Sequence, residues 1–356
     1  MEKTSQTKRR WRWGFYRWLI VLLIVGNVFA ARAYAPVMPH VQVPAENIIG
    51  PFRLPILGEL YLTNTLIAIF IADLLLLLMA VSVRRAVGKG ELVLSGFAGA
   101  VETILEALYS LVESTAGKWA RRVFPWMATI VLMVLVVNWT ELIPGVDSIG
   151  ILHEPHHGAP AYETKELFKI GSLSVTTIVE EVDLESAEAG HEQEVHEAGF
   201  TPFVRVSSTD LNFTVALALI SVVMTQVIGL QALGPGYFTK FFAFGNFGRM
   251  WIREKLGPFD VLMPLIDIFV GLLEMIAEFA KIISFSFRLF GNIFAGSVLL
   301  FVLGSLIPVM VQSGVLLLEF IVGLIQALVF GMLTMVFMTM ATMAHDEHDE
   351  EHAPAH

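Results

Sequence analysis

Cysteine does not occur in this chain of 356 residues, which excludes a disulfide framework, thiolate metal ligation and thiol chemistry together. Charge is scarce as well. Only 16% of residues are Asp, Glu, Lys or Arg, while 55% are hydrophobic and the mean hydropathy is +0.69; a soluble domain carries about 25% charged residues. No glycine-rich loop that could cradle a phosphate is present, so the chain is not expected to hydrolyse a nucleotide itself. No cofactor, resident metal or nucleic-acid partner is expected either.

In their place stand long apolar runs. Stretches of about 20 such residues mark membrane-spanning helices, and they fall at roughly 13–31, 60–83, 124–143, 211–233, 257–308 and 309–344. An open sheet is not tolerated in hydrocarbon, so the fold class is all-α: a polytopic membrane protein with five core hydrophobic helices in a domain over 36–344. An N-terminal basic and hydrophobic segment (1–35) precedes it, and an acidic, histidine-rich tail (345–356) follows. The formal net charge of −10 arises largely from one connection and that tail.

Lys and Arg in the connections set the orientation. Lys3, Lys8, Arg9, Arg10 and Arg12 precede the first run. Arg84, Arg85, Lys89, Lys118, Arg121 and Arg122 lie between the second and third, and Lys240, Arg249, Arg253 and Lys255 between the fourth and fifth. The remaining connections hold few basic residues, which places both termini in the cytoplasm. Because the first run has a basic start and small residues near its end, it reads either as a cleaved signal or as a retained helix. Pro36 argues against cleavage after Ala35; cleavage after Ala33 stays open.

Residues 36–59 are too proline-rich for a helix interior. Over 91–118, apolar residues alternate with Glu102, Glu106, Glu113 and Lys118, as in a helix at the interface or packed on a partner. The outside connection 145–206 is acidic. It carries His153, His156, His157, His191 and His196, but their spacing matches no defined metal site, so a solvated loop is expected; a solvated tail is expected for the same reason.

The last two runs exceed the thickness of the hydrocarbon core, so the helices are either broken or steeply tilted. Positions seven apart share a helix face, and Glu274, Lys281 and Arg288 are spaced that way, with Ser284, Gly291, Asn292 and Ala295 beside them. Charges on such a face mark an ion or substrate path. The next helix offers Glu319 and Gln326. In an antiparallel hairpin, residues at equal depth have a constant sum of residue numbers; this pairs Arg288 with Gln326 and Ser297 with Glu319, around a turn within 308–314. Glu319 then lies about 10 Å from Arg288 along the axis. Arginine keeps its proton, so its counter-charge is expected from another chain. A titratable carboxylate passing that fixed cation would be held ionised, taking its proton from an outside half-channel and yielding it to an inside one.

"RLFGNIFAG" at 288–296 and "LIQALVFGMLTMVFMTMA" at 324–341 resemble the a subunit of F-type ATP synthases, with weaker likeness at "NWTELIPG" (138–145), "DLNFTVALAL" (210–219) and "GPGYFTKFF" (234–242). The resemblance implies a proton channel beside a rotating c-ring, with a long tilted final hairpin. It matches the family's essential arginine to Arg288 and its glutamine to Gln326. Outer half-channel residues match Asn138, Glu141, Ser297 and Glu319; Asn292 stands within the motif, and Glu274, Lys281 and Ser284 form a supporting polar face by their helical spacing. The implied partners are the c-ring, the subunit b stalk, other subunits of the complex and membrane lipids; the implied location is the cell inner membrane. A secondary transporter is the alternative, against which stands the lack of an internal repeat. A scaffold with a buried ion pair would leave the two polar levels to coincidence.

Overall fold

The computed structural model describes residues 18–29 except 23 and 27, 44–55, 58–88, 94, 96–143, 146–153, 161–170, 173–182, 197–241, 258–306 and 310–343. The described part of the first run, between 18 and 29, is helical. The acidic, histidine-rich tail and residues 242–257 lie outside the described residues. Two compact units emerge, one of residues 1–42, 151–201 and 295–319, the other of 43–150, 202–294 and 320–356.

Among the described residues, six long helices carry the second unit and the final hairpin: α1 Asn64–Val87, α2 Gly96–Ala116, α3 Ala120–Thr140, α4 Leu211–Leu233, α5 Pro258–Leu306 and α6 Met310–Ala341. Among the described residues, four stretches are long and apolar enough to cross a membrane: Asn64–Val87, Gly96–Thr140, Leu211–Phe238 and Val311–Ala341. Helix α4 coincides residue for residue with the expected run. Helix α1 begins four residues later than expected, because Gly58–Thr63 pairs as a strand and the Thr63 side chain accepts a hydrogen bond from Leu66 N at 3.3 Å, capping the helix. At its far end Arg84 and Arg85 occupy the last turn, where positive charge suits the helix dipole. Helix α4 stops at Gly234, whose φ of 64° needs no side chain.

Helix α2 behaves as its composition requires. It buries Ala98, Val101, Leu108, Val112 and Ala116 and exposes Glu102, Glu106 and Glu113. The core of the second unit centres on α3, whose Val123, Met127, Val131 and Val134 cluster with Phe285, Leu289 and Ile293 of α5 and with Ala327, Phe330, Met335 and Met338 of α6. Lipid tails are as apolar as leucine, so close approach of backbones rather than hydrophobic burial holds membrane helices together. Gly323, Ala327 and Gly331, one turn apart on α6, supply that approach: a Cβ on Gly323 would lie 3.2 Å from Asn138 Cβ, and one on Gly331 would run into Val131.

Among the described residues, strands occur only in the connections. β1 Asn47–Leu54 and β2 Gly58–Thr63 form an antiparallel hairpin. The connection expected to be a solvated loop instead contains β3 Gly150–His153, β4 Ala161–Ile170, β5 Leu173–Val182 and β6 Glu197–Pro202, in the sheet order β3-β6-β4-β5. The β-branched residues of "LSVTTIVEEV" explain β5. Its acidic centre, 183–196, is outside the described residues.

Helix α5 is a single helix of 49 residues, about 73 Å long against about 30 Å of hydrocarbon, so the broken alternative is set aside. The hairpin register follows the expected rule in each unit taken alone. In the first, Gly304 meets Gln312 and Gly296 meets Glu319; in the second, the rings of Phe285 and Phe330 lie 5.1 Å apart. The turn expected over 308–314 is not kept at its far end. Met310 already begins α6, because the apolar residues that follow sustain a helix.

Candidate functional site

The site is built on α5. Phe285, Leu289 and Ile293 recur every fourth residue and are buried in the core, which turns the neighbouring row outward. Ser284, Gly291, Asn292 and Ala295 on that row are exposed, and Arg288 is half-buried. The Arg288 guanidinium donates a 3.4 Å hydrogen bond to Ser284 Oγ and lies 5.9 Å from the centre of the Phe285 ring. Among the described residues no carboxylate forms an ion pair with it. Gln326 is buried on α6, and no hydrogen bond joins it to Arg288 among the described residues.

Glu274 and Lys281, the other charges of the stripe, are neutralised by ion pairs within the second unit. Lys240 Nζ lies 2.5 Å from Glu274 Oε1 and 3.6 Å from Glu278 Oε1; Lys281 Nζ lies 2.8 Å from Glu278 Oε1 and 4.6 Å from the centre of the Phe337 ring. Sequence reasoning passed over Glu278. Its position three residues before Lys281 is the spacing of a helical ion pair, a signal that could have found it.

Toward the hairpin turn, Ser297 and Glu319 are both buried. Gly296 makes room for the Glu319 carboxylate, since a Cβ there would collide with it. Asn138 and Glu141, near the end of α3, are buried too. Asn138 donates to Gly323 O at 3.4 Å and accepts from Ser208 Oγ at 2.6 Å.

That last bond belongs to a polar hub that the sequence reading did not name. Asp210 caps α4 by accepting from Asn212 N at 2.9 Å and also accepts from Thr65 Oγ1 on α1 at 2.9 Å. Ser207 Oγ donates to Thr65 O at 2.8 Å, and Arg205 donates to Thr209 Oγ1 and to Pro44 O. Burial lowers the Arg205 pKa, opposed by Glu46, Asp210 and Asp147. Burial pushes Asp147 up to about 6, with Arg205 pulling the other way. The run of Ser, Ser, Thr and Asp ahead of an apolar helix is the available sequence signal. Away from this hub, His153 Nε2 shares a 3.0 Å hydrogen bond with Thr201 Oγ1; among the described residues no group of three or more His, Cys, Asp or Glu could hold a metal.

Residues 65–339 match the ATP synthase A chain family. The chain belongs to that family. Similar curated proteins include ATP synthase subunit a of Moorella thermoacetica, 24% identical over 82% of this chain and 95% of the relative, and that of Gloeobacter violaceus, 27% identical over 73% of this chain and 77% of the relative. ATP synthase subunit a 1 of Syntrophotalea carbinolica is 26% identical, covering 69% of this chain and 73% of that protein. As a member of the family, the chain is a multi-pass membrane protein that works in a complex with the other subunits of ATP synthase.

Proposed function

We propose that this chain, the proton-translocating membrane subunit of an ATP synthase and not itself catalytic, carries two offset half-channels that meet at Arg288. A carboxylate on a neighbouring c-ring takes a proton from the outside, a path to which the family resemblance assigns Ser297, Glu319, Asn138 and Glu141, and Asn292 stands one turn from Arg288 on α5. The carboxyl group rotates through lipid in neutral form. On facing Arg288 it ionises, because a cation nearby stabilises the charged carboxylate, and the proton leaves along the inner arm past Ser284, Lys281 and Glu274. Gln326 flanks Arg288 at its level. The same fixed cation blocks direct leakage between the two arms. Each charge moved across the membrane is worth about 2.3 kcal/mol per 100 mV, which summed over several ions drives rotation.

One observation carries this reading: a half-buried arginine on an open helix face, with no carboxylate partner among the described residues, beside small exposed groups that let another helix approach. The open face suits the c-ring, a subunit b stalk completes the stator in the plasma membrane, and the Lys and Arg distribution supports both termini facing the cytoplasm if the first segment is retained. The test is ATP-driven proton pumping in vesicles, read by a pH-sensitive dye. Arg288→Ala abolishes pumping while the complex assembles; unchanged pumping refutes the reading.

A further inference from the structure

Between α4 and α5 lies a cavity of about 360 Å³, within the size range of small-molecule sites. Of its described lining residues only Gln226, Tyr237 and Glu278 carry a polar group. At roughly 30 Å³ of liquid volume per water it is far larger than one or two bound waters require, and cavities with apolar walls stay dry and take apolar ligands. Its rim, Leu219, Val223 and Phe279, is exposed on apolar stretches of α4 and α5, so access is from hydrocarbon. One wall is aromatic and held in place. The 3-10 helix Gly234–Lys240 that follows α4 sets Tyr237 edge-on to Phe238 and Phe241, with ring centres 6.5 Å and 6.0 Å apart. Gly229 leaves room for the Tyr237 ring, and Gly271 lets the Phe241 backbone lie against α5.

Two polar atoms at this cavity are unused. Glu278 is 8% exposed, and both lysines that approach it, Lys240 and Lys281, do so at Oε1. Its Oε2 is buried without a hydrogen-bond partner among the described residues, and so is Gln226 Nε2. Tyr237 donates its hydroxyl proton to Gln226 Oε1 at 2.6 Å, which fixes Nε2 as the donor of that amide. A buried acceptor and a buried donor left unmade each cost their desolvation. One hydroxyl on an otherwise apolar body satisfies both, because it donates and accepts at once, and an aromatic body suits the wall of Tyr237, Phe238 and Phe241. We propose that this cavity binds a membrane-soluble phenol, whose hydroxyl donates to Glu278 Oε2 and accepts from Gln226 Nε2 while its ring lies against the aromatic wall. The site is independent of the route that protons take past Arg288.

The experiment uses the whole complex in vesicles and a photoreactive alkylphenol as the probe, with the labelled residues read by peptide mass spectrometry. Labelling falls on the cavity-lining peptides within 219–241 and 275–282 and is competed by unlabelled alkylphenol. The methyl ether of that phenol cannot donate to Glu278 Oε2 and competes about tenfold more weakly, as expected for the loss of a hydrogen bond to a charged group. Gln226→Leu leaves the ion pairs and the aromatic wall in place and weakens labelling severalfold, the loss of one neutral hydrogen bond. Equal competition by the phenol, its methyl ether and the corresponding alkylbenzene overturns the proposal, since the cavity would then be a plain groove for lipid tails. A native affinity in Gln226→Leu overturns it too. So does the absence of labelling at these peptides, the result expected if another subunit covers the mouth. If the Gln226→Leu complex fails to assemble, the three competitors on the native complex decide alone.

Discussion

Arg288 is the residue on which the chemistry turns, and charge alone is not what it supplies. A lysine in its place is shorter, lacks the planar fork and can deprotonate when desolvated. Arg288→Lys is therefore expected to lose coupled pumping nearly as completely as Arg288→Ala, measured by the same dye assay, with assembly judged by the yield of intact complex. Glu319 is buried and housed by the absence of a side chain at Gly296. Glu319→Gln keeps that shape and removes the titratable group, so transport slows while the complex assembles normally; native rates in this variant would remove Glu319 from the path.

Elements meet here through small residues and caps rather than through bulk hydrophobicity. The line Gly323, Ala327 and Gly331 lets α6 lie against α3, and a Cβ on Gly331 would strike Val131, a β-branched residue with little freedom to move. Gly331→Leu is expected to destabilise the subunit by about 1–3 kcal/mol, the usual cost of overpacking. Thermal melting of the purified complex would reveal it, and an unchanged melting temperature would mean the two helices part without penalty. The polar hub at the start of α4 acts at the same scale: Asp210, Ser207 and Ser208 tie that helix to α1 and α3 through single hydrogen bonds.

For the molecule as a whole, pH enters through Asp147. Its folded pKa, about 6, exceeds the ordinary 3.8, so the fold prefers the protonated form. The stabilisation this brings is complete below about 3.8 and is lost as the pH rises through about 6. Asp147→Asn should therefore melt at a higher temperature than the native chain at pH 7.5 and should flatten the fall in stability between pH 5 and 7. A fall that stays as steep in the variant would place the titrating group elsewhere.

Sequence by itself indicated the long apolar helices and, within each unit, the register of the final hairpin. Hydropathy is a local property that the bilayer reads directly, and constant rise per residue makes the pairing of two antiparallel helices a matter of counting. It also singled out Arg288, because a fixed charge in an apolar run stands out without knowledge of its neighbours. Helix periodicity could group Glu274, Lys281 and Arg288 on one face, yet it could not tell which of them would be neutralised. Only the tertiary structure decided that, by bringing Lys240 from the connection after α4 to Glu274 and Glu278. The same holds for Asn138 with Ser208 and for Thr65 with Asp210. Such pairs join residues far apart in the chain, and local periodicity contains no information about which distant helix comes to lie alongside.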